Sequence, residues 1–197
     1  KELEQVKVLI IDDALEPEEI DEEALGTETG FSRYLQLQAE FKENVKKIAG
    51  LGVGLVLVDR GVDDGAEEVL TDRGIMVVQR VAGKELRKAT ELVGARMIKR
   101  TGLKKSIDEL EKYLGHADKI YNDEKLEQVW IMGGKGKPMA TVLVGAATAE
   151  VVGERERIAK DAASSVQSAI KGGVVPGGGA VELAVAHEVE KIRDGMR

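Results

Sequence analysis

Two short runs constrain this chain more than any other feature: VKVLIID, residues 6–12, and GLVLVD, residues 54–59. Each is apolar almost without interruption and rich in β-branched residues, so each reads as a strand buried on both faces rather than a ribbon with one wet side. Strands of that kind belong to parallel sheets with helices packed on both faces, and a parallel sheet is expected. Only 3% of the residues are aromatic while 43% are hydrophobic, so the core must be built mainly from Val, Ile, Leu and Ala.

The segments around these runs alternate in period. Phe31, Tyr34, Leu35, Phe41, Val45 and Ile48 recur at helical spacing and predict a long amphipathic helix that Gly50 and Gly52 end. Helix 64–72, strand 75–81, helix 84–93, strand 96–99 and helix 106–114 then follow, the punctuation of an α/β fold. From 116 to 144 the pattern predicts short strands at 117–123, 127–133 and 140–145, with GGKGKP, 133–138, turning a hairpin between the last two. The acidic stretch EPEEIDEEALGTETG, 16–30, has too few regularly spaced apolar residues for a core element and is expected outside the core. Residues 150–171 and 179–193 read as two helices, preceded by small residues VGAAT, 144–148, that suit a hinge. Two helices and a loop cannot bury much surface alone, so 148–197 is expected to be part of a second domain.

Net charge and composition exclude several classes. A formal charge of −7 argues against binding a nucleic-acid backbone, which needs clustered Lys and Arg. The absence of cysteine excludes disulfides and thiolate metal sites, and a cytoplasmic setting is the default expectation. No apolar run approaches the roughly 18 to 20 residues of a membrane span, so no membrane is expected as a partner. His116 and His187 have no partner ligands at metal spacing; both read as structural, and no metal site is expected.

Four features could carry function. Gly177, Gly178 and Gly179, just before a helix, either bring backbone amides to a phosphate or make a tight helix–helix turn; the Lys and Ser/Thr of a P-loop are missing. Asp161 shares a helix face with Ser164, Ser165 and Ser168, and either orients a water or metal-bound phosphate or is simply solvated. Leu25, Phe31, Tyr34 and Leu37 either form a protein-binding surface beside the acidic stretch or continue the core stripe. Val69 and Leu70, among Glu67, Glu68 and Asp72, either face a partner or cover the sheet.

Together these pieces resemble the chaperonin family of the group II type with a built-in lid. VKVLIIDDALEPEEID and FKENVKKIAGLGVGLVLVDRGVDDGAEEVLTDRGIMVVQRV resemble its apical domain, with a helical protrusion over about 16–47, while VLVGAAT, 142–148, is closer to the group I hinge; the mixture is similar to bacterial group III chaperonins. KDAASSVQSAIKGGVVPGGGA resembles the intermediate-domain run of a "DA" pair followed by a triglycine loop. The resemblance implies an apical domain over 1–147, with a mixed sheet flanked by helices, and a C-terminal piece of the intermediate domain over 148–197. It implies that Asp161 helps activate the water that attacks ATP and that Gly177, Gly178 and Gly179 contact the nucleotide, with Mg and ATP or ADP held by the full-length protein. It implies that Val69 and Leu70, aided by Leu25 and Phe31, bind unfolded polypeptide, that Gly145 is a hinge, and that like subunits assemble into a double ring. The family's GDGTT phosphate loop is nowhere in the chain, so these residues alone are expected neither to bind nucleotide tightly nor to hydrolyse it. A free-standing nucleotide-binding enzyme and a single-partner adaptor are the alternatives.

Overall fold

The computed structural model describes residues 2–196, in two compact units that meet in sequence between Met139 and Ala140. The first unit is built on a five-stranded sheet of β1 (Glu2–Ile11), β2 (Val53–Val58), β3 (Met76–Val78), β4 (Gly115–Asp123) and β5 (Gln128–Gly134), in the order β3-β2-β1-β4-β5. β1 lies parallel to β2, and β2 to β3, whereas β4 runs antiparallel to both β1 and β5. The sheet is therefore mixed, and the wholly parallel arrangement suggested by the first two runs holds only on the β3 side.

The central position of β1 explains its composition. Val8, Leu9, Ile10 and Ile11 are all fully buried because both faces are covered. Leu9 and Ile11, with Val56 and Val58, meet α2 (Glu28–Gly50) through Phe41, Val45 and Ile48, and α3 (Asp64–Asp72) through Ala66 and Leu70. Val8 and Ile10, with Leu55 and Leu57, meet α4 (Gly83–Val93) through Leu86 and Val93. Alternation along a strand thus feeds two cores at once.

A line of irregularity crosses the antiparallel half. Gln5 in β1 has φ 50° and Gly133 in β5 has φ 66°, on either side of Asp118 in β4. Leu3 and Val6 face the same core although three residues apart, as do Ala117 and Ile120. A regular strand would put each pair on opposite faces; the left-handed residue at Gln5 and the break beside Asp118 reset the alternation, so that one apolar face continues past the kink. His116 belongs to this line, with Nε2 3.0 Å from Gln5 Oε1.

Local chemistry sets the helix limits. The Thr27 side chain accepts from Gly30 N at the start of α2 and Asp63 accepts from Ala66 N at the start of α3, while α4 stops at Gly94 in the left-handed region. A short α1 (Glu22–Leu25) lies within the acidic stretch, a 3-10 turn spans Arg100–Lys104, and α5 (Ile107–Glu111) opens with a capping box between Ser106 and Glu109.

Three sequence expectations are corrected. Residues 96–99 form no strand; Ile98 makes one bridge to Ile11, exchanging backbone bonds with Asp12 and Ile10. The strand at 75–81 shortens to Met76–Val78 before Arg80, whose φ is 56°. The hairpin is β4–β5, turned by residues 124–127, and 140–145 is not a strand: Val142 and Leu143 are exposed. GGKGKP instead caps α4, because Gly136 N and Lys137 N donate to the carbonyls of Leu92 (2.8 Å) and Glu91 (2.7 Å). A Cβ at Gly134 or Gly136 would run into those same carbonyl oxygens, which is why glycine stands there.

The second unit consists of α6 (Ala149–Gly172) and α7 (Ala180–Gly195), close to the expected helices. Neither helix has a buried residue among those described. The apolar stripe of α6, with Ile158, Val166 and Ile170, is uncovered, as are Leu183, Val185, Val189 and Ile192 of α7.

Candidate functional site

The apolar candidates of the first unit divide according to helix phase. Leu70 is fully buried in the core beneath α3, whereas Val69, one residue earlier and rotated by about 100°, is 39% exposed. The expectation that both residues meet a ligand is thus corrected: Leu70 is held by core packing and Val69 alone is presented. Gln79 ties α3 to its surroundings, donating to Glu67 Oε2 and accepting from Val62 N, both at 3.3 Å.

Along α2 the buried stripe begins at Leu37 and continues through Phe41, Val45 and Ile48, while the preceding turns stand off the core. Phe31 is 53% exposed and stacks on half-buried Tyr34, with ring centroids 6.4 Å apart. Leu25 and Tyr34 line an open groove of ≈ 580 Å³ with Ile20, Glu18 and Asp64. Leu35, placed in the helical stripe but not among the candidate binding residues, is as exposed as Phe31 and lies one turn further on; the i, i+4 spacing was its signal. Leu25, Phe31, Tyr34 and Leu35 therefore form an apolar surface rimmed by the acidic stretch, and Val69 is presented separately from α3.

The second unit carries Asp161 and the glycines. Asp161, Ser164, Ser165 and Ser168 are all exposed on α6. Arg157 bridges back along the helix, with Nη1 3.4 Å from Asp161 Oδ2 and Nη2 2.7 Å from Glu154 Oε1. The hydrogen bond from Arg157 holds the Glu154 carboxyl below its ordinary range. Gly178 and Gly179 adopt φ 69° and 83°, and Gly179 is the N-cap of α7. No atom lies within 4 Å of a Cβ built on any of the three glycines, so no neighbouring side chain or backbone dictates the open loop. Asp161 lies eleven residues before the end of α6, about 16 Å along the helix axis. Gly145 is exposed and equally uncrowded, and its carbonyl accepts from Arg155 Nη1 at 3.0 Å. Among the described residues no group of His, Cys, Asp or Glu is placed to hold a metal ion, and no helix is long and apolar enough to cross a membrane.

A glycine-capped, two-faced α/β unit followed by an uncovered helical pair is a specific combination, and residues 1–197 match the model of the TCP-1/cpn60 chaperonin family from end to end. The chain belongs to that family. Among curated relatives, a thermosome subunit beta from Sulfurisphaera tokodaii is 32% identical over 97% of this chain and 35% of its own length. A thermosome subunit from Methanopyrus kandleri is 31% identical over 100% and 36%. This chaperonin chain thus spans about a third of the length of the curated relatives it matches. Among solved structures, a group III chaperonin in the open state superposes with a TM-score of 0.86 at 50% identity, covering 98% of this chain and 39% of that one. An open-state group II chaperonin monomer from Methanococcoides burtonii gives 0.72 at 22% identity, a likeness of fold alone, covering 100% and 43%. The α/β fold with a helical segment implied by the resemblance is the one these structures share.

Proposed function

We propose that this chain is the client-binding apical domain of an ATP-dependent protein-folding chaperonin, with its built-in lid and the C-terminal part of its intermediate domain. The parent works in the cytoplasm as a double ring of identical or homologous subunits. The observation that carries the reading is the presentation of Phe31, Leu35 and Val69 as exposed apolar groups on α2 and α3. Unfolded chains share no shape but share apolar surface, and a site of this kind recognises that surface rather than a single partner. The lid, expected over about 16–47, is carried by the acidic stretch, α1 and the N-terminal turns of α2, because Leu37, Phe41 and Val45 further along α2 are buried; Gly145 is the hinge.

In the longer protein, ATP with Mg supplies the free energy that moves the domains. The uncrowded backbone of Gly177, Gly178 and Gly179 at the head of α7 suits close approach by a nucleotide. The exposed carboxylate of Asp161 on α6 can hold and orient a water. The two elements are parts of a site, and other segments must complete it.

The reading is tested by incubating the 197-residue chain with several unrelated urea-denatured proteins and following their aggregation by light scattering. Suppression is expected for all of them, and it should weaken in Val69→Ser and Phe31→Ser while native controls are ignored. Capture of one folded partner alone would make the chain an adaptor instead.

A further inference from the structure

The two edges of the sheet are built differently. β3 exposes only three residues and is followed at once by Gln79 and Arg80, a short edge that a charge blunts. β5 runs for seven residues, QVWIMGG, without a charged side chain. Among the described residues no hydrogen bond leaves the main chain of 128–133 on the side away from β4. Five consecutive residues, Gln128 to Met132, have neither proline nor charge to discourage a further strand.

The face beside this edge carries three large apolar side chains next to the Lys119–Glu2 ion pair. Trp130 pairs directly with Tyr121 across the β4–β5 ladder, and Met132 pairs with Lys119. Trp130 is half-buried, Tyr121 is 38% and Met132 43% exposed, and none of the three belongs to either core. Val129 and Ile131, pointing the other way, pack on the core shared with α4 and hold the edge in place. Aromatic and Met side chains are the types that dominate buried contacts at interfaces.

We infer that the free edge of β5 takes up an extended stretch of non-native polypeptide as an added strand, its side chains resting on Trp130, Tyr121 and Met132. An open edge offers main-chain donors and acceptors at strand spacing, a pattern that any extended chain satisfies whatever its sequence. A neutral edge suits an uncharged, apolar segment of that kind. A second copy of this chain is disfavoured by charge: each copy carries −7, and β5 supplies no ion pair to offset the repulsion. The identity of the partner rests on the chaperone reading; the strand-accepting edge does not.

The test uses the 197-residue chain and the emission of Trp130, its one tryptophan. The probe is a short peptide of alternating Val and Thr with Lys at each end, compared with the same peptide N-methylated at alternate residues, which keeps the side chains but loses the donors. A saturable shift of Trp130 emission with the first peptide and none with the second is expected, and Met132→Lys should weaken the binding roughly fivefold or more. Equal responses to the two peptides, no response, or an emission change that follows protein concentration alone with a sedimenting dimer would each overturn the inference. Loss of the peptide signal while Val69 and Phe31 still support capture of denatured proteins sinks this inference only. A retained peptide signal without such capture sinks the chaperone reading and leaves the edge as a strand acceptor.

Discussion

Val69 and Leu70 are adjacent in sequence and opposite in role. Leu70 is fully buried, so Leu70→Ala should cost about 2–5 kcal/mol of stability in urea unfolding. Val69→Ser should change stability by no more than about 0.5 kcal/mol, because little is removed from the core, and should lower client capture. The reverse pattern would show that the helix phase assigned to α3 is wrong. Glycine makes the same point about single atoms. A methyl at Gly136 meets the Glu91 carbonyl oxygen and the Gly94 amide at the capped end of α4, so Gly136→Ala should destabilise by about 1–3 kcal/mol and lower the urea midpoint. Asp161 has no packing role on its exposed helix face, so Asp161→Ala should leave the stability of the chain unchanged. In the full-length subunit the same substitution should abolish ATP turnover; undiminished turnover would remove Asp161 from the catalytic role proposed for it.

At the scale of elements, α2 changes character along its length. Its C-terminal half docks on the sheet and on the 3-10 turn, where Lys47 Nζ donates to the carbonyls of Leu103 (2.7 Å) and Lys105 (3.2 Å). Burial there pushes the Lys47 ammonium below its ordinary value. Lys104 lies 3.2 Å from Glu40, and that hydrogen bond holds the Glu40 carboxyl below its usual range. A carboxylate with a depressed folded-state pKa stabilises above the ordinary carboxylate range, and the contribution fades as pH falls through the lowered value. Lys104→Met should therefore be modestly less stable than the parent at neutral pH, with the difference closing as pH falls through the lowered Glu40 value; a gap that persists in acid would mean that the pair does not account for it. The long elements were legible because their periods are strong: the double-faced run of β1 and the stripe Phe41, Val45, Ile48 of α2 leave little choice. The hairpin was misplaced because its real turn, Glu124 to Glu127, carries no glycine or proline and places Glu127 at φ 51°. The glycine-rich GGKGKP drew the assignment instead, yet its glycines serve close contact with α4. Leu70 was misjudged for a related reason: composition marks an apolar pair, but only the phase of the helix against the sheet decides which member is covered. For the proposed nucleotide elements the sequence offers only residue types and spacing, and no neighbour in the chain crowds the triglycine loop.

At the scale of the whole molecule, the two units differ in what holds them together. The first has two cores sharing one sheet, and its central strand is buried on both sides. The second has two helices of 24 and 16 residues with no buried side chain among those described. An isolated helix gains little from propensity alone, and most helical stability in proteins comes from covering an apolar face. Ile158, Val166, Val185 and Val189 offer such faces uncovered. Native-state hydrogen exchange on the 197-residue chain should accordingly show β1 and β2 amides protected to the level of global unfolding, and the amides of α6 and α7 exchanging orders of magnitude faster. In the full-length subunit, where other segments are proposed to complete the nucleotide site, the α6 and α7 amides should slow towards those of the sheet, and further when ATP is added. Strong protection of α6 and α7 in the 197-residue chain would show that the helical pair is self-sufficient, and the proposal that it awaits further segments of a chaperonin subunit would fail with it.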